Sequence, residues 1–266
     1  EFAGLPTDPS YSYLVSARYL GIDYYSSGPV VFGPDEMRKS VEVPVCEKTA
    51  SDEAIRVMLA RAVIYIEEES LSITEAFHFA NDGDRTYVGS AEASADGRRG
   101  TLVFTLPEGA TDFEAPPALM QGYVFLDDNR FADTLPFPPG ESQLVYSYKL
   151  AMPGSKDFAL HLQTNYPTDI FNVMMEDEDI EVASDQLRLE GPVEADTGQQ
   201  FLHLKGENLP PGVTVDIFLS GLSGGGSSAS SIVWIIVAVL ILGIIVYLLK
   251  MKRARSVTST PLSGGG

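Results

Sequence analysis

The sequence predicts an all-β chain of immunoglobulin- or transthyretin-like β-sandwiches followed by one transmembrane α-helix. Three observations predict it. Before residue 232 the apolar residues recur with period two, which marks strands and not amphipathic helices. Turn chemistry breaks that alternation at short intervals, at Asp82-Gly83, Asp96-Gly97, Pro138-Pro139-Gly140, Pro153-Gly154 and Pro210-Pro211-Gly212. From Ile232 to Leu249 the chain is then apolar throughout, IVWIIVAVLILGIIVYLL.

In chain order, strands are expected at Tyr11–Leu20, Ser40–Glu47, Leu71–Phe79, Gly100–Leu106, Gln143–Ala151, Phe158–Gln163, Ile170–Met175, Phe201–Lys205 and Val213–Leu219. Many short strands so punctuated indicate antiparallel sandwiches. Ser51–Glu69 opens like a capped helix, with two acids directly after Ser51. Yet its even positions from Met58 to Ile66 are all apolar, while the odd ones mix Val57, Leu59, Val63 and Tyr65 with Arg61 and Glu67. That pattern fits a long strand with one face fully buried and the other partly, preceded by an exposed connector.

Two boundaries follow, one at Glu47–Asp52 and one at the Gly/Ser tether Ser220–Ser231. The expected organisation is a module over 1–48, a sandwich ectodomain over 49–219, a linker over 220–231, a membrane helix over 232–249 and a basic tail over 250–266. A coil of the linker's length has an r.m.s. span of roughly 20 Å, so the ectodomain stays near the bilayer without a fixed orientation.

The apolar run spans about 27 Å as a helix, enough for a bilayer's hydrocarbon core. Trp234 and Tyr247 sit near its opposite ends, where amphipathic rings favour the headgroup region. Lys250, Lys252, Arg253 and Arg255 follow, and no acid occurs from 232 onward. That asymmetry places the C-terminal tail in the cytoplasm and the N-terminal part outside, in a single-pass protein of the cell membrane whose first partner is the bilayer itself. The chain opens with Glu1-Phe2, so an export signal is expected upstream.

The sequence holds 18 basic and 37 acidic residues; without the four tail cations, 14 basic ones remain and the exported part carries −23. Such a surface repels phosphate backbones, which excludes nucleic acid as a partner. It serves solubility, or favours cationic partners and divalent ions. Cys46 is the only cysteine, so burial alone must hold the core; the thiol is either inert or paired with a partner's. No Asn-x-Ser/Thr sequon occurs, which agrees with a bacterial source.

Phe2-Ala-Gly-Leu-Pro6, then Tyr11-Ser-Tyr-Leu-Val-Ser-Ala-Arg-Tyr-Leu-Gly21 and Tyr24-Tyr25, resemble the second half of the carboxypeptidase regulatory-like domain. That family is a small transthyretin-like sandwich in which a Phe-x-Gly-Leu-Pro turn leads into a Tyr-x-Val-x-Ala strand. The resemblance covers about the first 45 residues, puts the family's opening strands upstream of Glu1, and implies an accessory module without peptidase activity. Ser72-Ile-Thr-Glu75, Asn81-Asp-Gly-Asp-Arg-Thr-Tyr87, Leu106-Pro-Glu-Gly-Ala110 and Asp133-Thr-Leu-Pro-Phe-Pro-Pro-Gly140 resemble ectodomains of bacterial membrane proteins that carry such a module. Members of that group are sometimes associated with cytochrome c assembly genes.

A search for chemistry finds little. His78, His161 and His203 each sit alone in an expected strand, without the short spacing of a zinc site. The run Glu176-Asp-Glu-Asp179 offers oxygen ligands, and Asp177 and Asp179 are the residues expected to hold calcium if any cofactor is bound; Asp127-Asp128-Asn129 is a further acidic cluster. There is no Gly-x-Ser-x-Gly elbow, no phosphate loop and no Cys-x-x-Cys-His haem site, so catalysis is not expected. Tyr11, Tyr13, Tyr19, Tyr24, Tyr25, Tyr146 and Tyr148 fill cores or form a glycan platform. The expected function is non-catalytic binding or scaffolding of an extracytoplasmic protein or glycan. The alternatives are a carbohydrate-binding ectodomain and an accessory factor in extracytoplasmic cytochrome c or redox-protein assembly.

Overall fold

A computed structural model describes residues 2–67, 69–89, 99–152, 157–176, 180–194 and 199–222. These are mostly β-sheet, with one helix of four residues, in keeping with the all-β expectation. The expected membrane helix at 232–249 and its basic tail lie outside the described residues. Among those described, no helix is long and apolar enough to cross a membrane.

The chain begins with a short antiparallel hairpin, β1 (Ser16–Tyr19) and β2 (Ile22–Tyr25). After β3 (Lys48–Thr49) come two long neighbours, β4 (Ile55–Ile66) and β5 (Ser70–Asn81), then β6 (Thr86–Tyr87), which pairs with β3 in parallel. Short elements follow: β7 (Leu102–Thr105), β8 (Ala110–Glu114), helix α1 (Pro117–Met120), β9 (Tyr123–Phe125) and β10 (Arg130–Asp133). The long β11 (Gly140–Ala151) leads to β12 (Asp157–Gln163), β13 (Thr168–Glu176) and β14 (Glu181–Ala183). The last three strands are β15 (Arg188–Glu194), β16 (Gln200–Leu209) and β17 (Thr214–Ser220).

The chain folds as two compact units: Glu1–Arg56 with Ala80–Phe104 and Gly122–Ser142, and Val57–Phe79 with Thr105–Gln121 and Gln143–Gly266. The first holds the β1–β2 and β3–β6 pairs and the sheet β7-β10-β9. Its core is aromatic: Phe104 stacks on Phe131 with ring centroids 5.0 Å apart, and Tyr123 packs on the same ring at 5.3 Å. Removing either fully buried phenylalanine ring would cost about 3–5 kcal/mol. The Tyr24 hydroxyl ties β2 to later chain, donating to the Cys46 carbonyl at 2.9 Å and sharing a hydrogen with Thr86 Oγ1 at 2.8 Å. Gly89 has a positive φ of 84° and lies so near Gly100 that a Cβ would stand 2.2 Å from the Gly100 carbonyl oxygen.

The second unit is built on a seven-stranded sheet ordered β15-β16-β13-β4-β5-β11-β8 and a three-stranded sheet ordered β12-β17-β14. β4 and β13 run parallel, in register Ala60↔Phe171, Ala62↔Val173 and Ile64↔Met175; all six are buried. In the smaller sheet Leu160, Leu162, Val215, Ile217 and Leu219 are buried, leaving alternate residues on the other face. Buried inner faces on two sheets are the core arrangement of a β-sandwich. The large sheet also covers its second face, with Val63, Tyr65 and Phe201 in one cluster and Ala76, Val145 and Leu119 of α1 in another.

Most expected strands are present, and Ser51–Glu69 is the expected strand with a connector before it. Residues 40–47 form none. Pro44 removes a ladder donor there, and pairing begins only where Thr86 N donates to the Glu47 carbonyl at 2.7 Å. Within Tyr11–Leu20 only Ser16–Tyr19 pairs as a strand, Tyr13 adding an isolated bridge to Val30.

Candidate functional site

The outer face of β12-β17-β14 begins at a fixed strand start. Thr164 Oγ1 donates to the Pro210 carbonyl at 2.8 Å, and Gly212, at a φ of 80°, donates its N–H to the Thr164 carbonyl at 2.6 Å. That turn launches β17 with Val215, Ile217 and Leu219 inward, so Asp216, Phe218 and Ser220 face outward. β14 ends where the Ser184 hydroxyl accepts the N–H groups of Gln186 and Leu187 at 3.3 and 3.2 Å. Gln186 Oε1 then accepts the Asp216 N–H at 3.0 Å, satisfying β17 beyond the end of β14.

Register sets the chemistry of this face. Phe218 lies between Ala159 of β12 and Ala183 of β14, and Ser220 lies between Asp157 and Glu181. Asp216 lies opposite His161, whose Nδ1 is 2.6 Å from Asp216 Oδ1. Two small neighbours leave the Phe218 ring 47% exposed. A groove of about 520 Å³ at the Ser220 end of these strands is lined by outward Asp157, Glu181 and Phe218 and also by Phe158, Val182 and Leu219 of the alternate register, with no basic side chain among the described lining residues. The sequence reading missed Phe218, although VDIFLS carries the signal: one aromatic in the otherwise polar series Thr214, Asp216, Ser220.

Two other polar features lie in the large sheet. Glu75 is 5% exposed on β5, and its carboxylate accepts the Tyr148 hydroxyl at 2.9 Å. Burial pushes its pKa up to about 7, against the lowering effect of hydrogen bonds from Tyr148 and Tyr146. Tyr146 is stacked by Phe77 at 5.8 Å and Phe113 at 5.7 Å. On the opposite face, register places Arg61, Asn172, Lys205 and Arg188 in one row across four strands. Lys205 pairs with Glu207 and Arg188 with Glu190, whereas Arg61 Nε is buried without a hydrogen-bond partner.

Asp177 and Asp179, Trp234 and Tyr247, and the cations Lys250, Lys252, Arg253 and Arg255 all lie outside the described residues. Asp127 is a turn residue: its carboxylate takes the N–H groups of Asn129 and Arg130 and the Arg130 Nε at 2.7 Å, which holds its pKa below the usual range. The histidines fall on β5, β12 and β16. His203 meets Asn172 Oδ1 at 3.1 Å, and burial lowers its pKa. Among the described residues no group of three or more His, Cys, Asp or Glu side chains is placed to hold a metal ion. Tyr146 and Tyr148 are core residues and present no platform, while Tyr11 and Tyr25 are more than half exposed. Cys46 is a half-buried free thiol.

No protein-family model and no curated protein matches the chain. Among solved structures, a candidate protease from Parabacteroides distasonis is similar over 64% of this chain and 40% of its own, at 10% identity and a TM-score of 0.38. The mu-homology domain of yeast delta-COP-I, complexed with a Dsl1 WxWxV peptide, is similar over 65% of this chain and 77% of its own, at 10% identity and a TM-score of 0.21. The same domain alone gives 68%, 78%, 10% and 0.20. The chain thus spans two fifths of the length of the first of these. None of these likenesses bears on what the chain does.

Proposed function

We propose that this chain is a non-catalytic, membrane-anchored binding or scaffolding protein that faces away from the cytoplasm, with the outer face of β12-β17-β14 as its contact surface. One observation carries the reading: Phe218 is left half exposed at the centre of a sheet face, between two alanines. Strand residues on a solvated face are ordinarily polar. A ring kept there offers apolar area whose burial by a ligand is worth about 1–2 kcal/mol. The apolar run at 232–249 with its trailing cations supports the anchor and orientation. The resemblance of residues 2–25 to an accessory module supports a role without chemistry.

A carbohydrate-binding ectodomain is the second reading, favoured by the same ring, since a pyranose stacks on an open aromatic face flanked by acceptors. To test the surface, nitroxide-labelled ligands of several classes can be screened for broadening of the Phe218 ring signals. A ligand that broadens Phe218 and loses affinity in Phe218→Ala supports the reading. Ligands that bind the chain only elsewhere would remove this face from it.

A further inference from the structure

Independently of what Phe218 contacts, we infer that the open edge of β12 pairs antiparallel with β12 of a second copy of this chain, joining two sandwiches through one continuous sheet. A sheet edge presents unpaired N–H and C=O groups, and folded chains ordinarily blunt such edges. Among the described strands the second unit has four edge strands, β15, β8, β12 and β14, and three are blunted. β14 is only three residues long, and Gln186 takes the Asp216 N–H beyond its end. β15 carries Pro192 and a register break before Gly191, whose φ is 108°. β8 breaks register against β11, and its Asp112 has a φ of 51°. β12 has none of these devices. Its seven residues keep an unbroken register with β17 and include no Pro, Gly, Lys or Arg.

The hydrogen bonding shows which groups the edge presents. Thr164 N–H donates to the Val213 carbonyl, one step beyond the pair Gln163↔Thr214. Backbone groups alternate sides along a strand. Those of Leu162, Leu160 and Phe158 therefore face β17, and those of Ala159, His161 and Gln163 face the open edge. Asp216 agrees, since it lies opposite His161 yet sends its N–H the other way, to Gln186. A symmetry axis at Leu160 sets Ala159 opposite the partner's His161 and brings inward leucine against inward leucine. The chain has 37 acids, but none lies within Phe158–Gln163, so this strand escapes the repulsion that keeps two copies of charge −19 apart elsewhere. The tethers fit as well. Ser220 lies opposite Asp157, three residues from the axis, so the two β17 ends would stand about 25 Å apart. A tether as long as Ser220–Ser231 reaches about 40 Å when extended, so both anchors can enter one bilayer. Only this last support rests on the proposed anchor.

The test uses the full chain in neutral detergent micelles, where sedimentation reads pairing whatever the orientation in a membrane. Failure here therefore leaves the anchor reading intact. A concentration-dependent dimer is expected. Ala159→Pro removes an edge N–H and spares the β17 ladder, so it should weaken the dimer by at least about ten-fold. A second measurement needs no proline. With Cys46→Ser as background, Ala159→Cys and His161→Cys chains should form a disulfide when mixed, because Cα atoms paired across a ladder lie about 5.5 Å apart. Either chain alone sets its two thiols on a diagonal of about 8 Å and should cross-link far more slowly. A dimer untouched by Ala159→Pro, or single-cysteine chains that cross-link as fast as the mixture, would overturn the inference. A chain that stays monomeric at every concentration would also overturn it, leaving the edge to an extended segment of another protein.

Discussion

At Glu75 the sheet buries a carboxyl beside Tyr148 and Tyr146, the latter stacked by two phenylalanines, and the consequence is a defined dependence of stability on pH. Its ordinary pKa is 4.5, and burial raises it to about 7. Between those values the folded chain keeps a proton that the unfolded chain has released. Stability from this group is therefore greatest below about pH 4.5 and falls as pH rises to about 7, by on the order of 3 kcal/mol. Glu75→Gln should flatten that portion of the curve and raise stability at pH 8, read by urea unfolding across the range. A variant whose pH profile parallels the parent's would show that Glu75 ionises freely. Asp133, also raised by burial, shifts stability in the same direction and remains in both proteins. Arg61 offers a second test. Its buried Nε lacks a partner, and burial lowers its pKa. Arg61→Met should stabilise by about 1 kcal/mol, and a lower Tm would point to an interaction made through the guanidinium. Both residues were partly legible. Glu75 interrupts the apolar series Leu71, Ile73, Phe77, Phe79, and Arg61 interrupts Val57, Leu59, Val63, Tyr65. What alternation could not show was which neighbours answer them, because those lie on strands far along the chain.

Among the elements, long strands were easiest to read and short or unpaired ones hardest. β4 and β5, twelve residues each, have enough alternation to outweigh the helix-like opening at Ser51. Residues 40–47 alternate too, yet find no ladder, and pairing is a non-local property that a local pattern does not encode. Turns were legible as places and less so as conformations. The β1–β2 hairpin turns at Leu20 and Gly21, with φ of 51° and 79°. Two positive φ values match a tight hairpin whose first position suits Asn or Gly, and leucine there is strained. Leu20→Asn should therefore slow amide exchange in Ser16–Tyr25, reflecting about 0.5–1 kcal/mol gained locally. Faster exchange would mean that the leucine side chain holds the hairpin through contacts it makes with its surroundings. The Phe218 face belongs to this scale as well: β17 was expected as a strand, but the two alanines that open the ring come from β12 and β14, and only register brings them together.

For the whole molecule, two features bear on function: a net charge of −19 and an apolar run that ends in cations. Both features are legible in the sequence at once; that the apolar run is an anchor is part of the function proposed above. The division into two units is not legible there, since each gathers three separated stretches of chain, and no linear shift in composition marks such an assembly. The central claim is that the sandwich with its Phe218 face lies outside the cell membrane while the tail lies within. It is tested most directly by cysteine accessibility in intact cells. Cys46→Ser removes the native thiol; Ala183→Cys then places one on the contact face and Ser259→Cys places one in the tail. A membrane-impermeant maleimide should label Ala183→Cys on intact cells, and Ser259→Cys only after permeabilisation. Labelling of the tail thiol on intact cells, with the face thiol silent until the membrane is opened, would contradict the account.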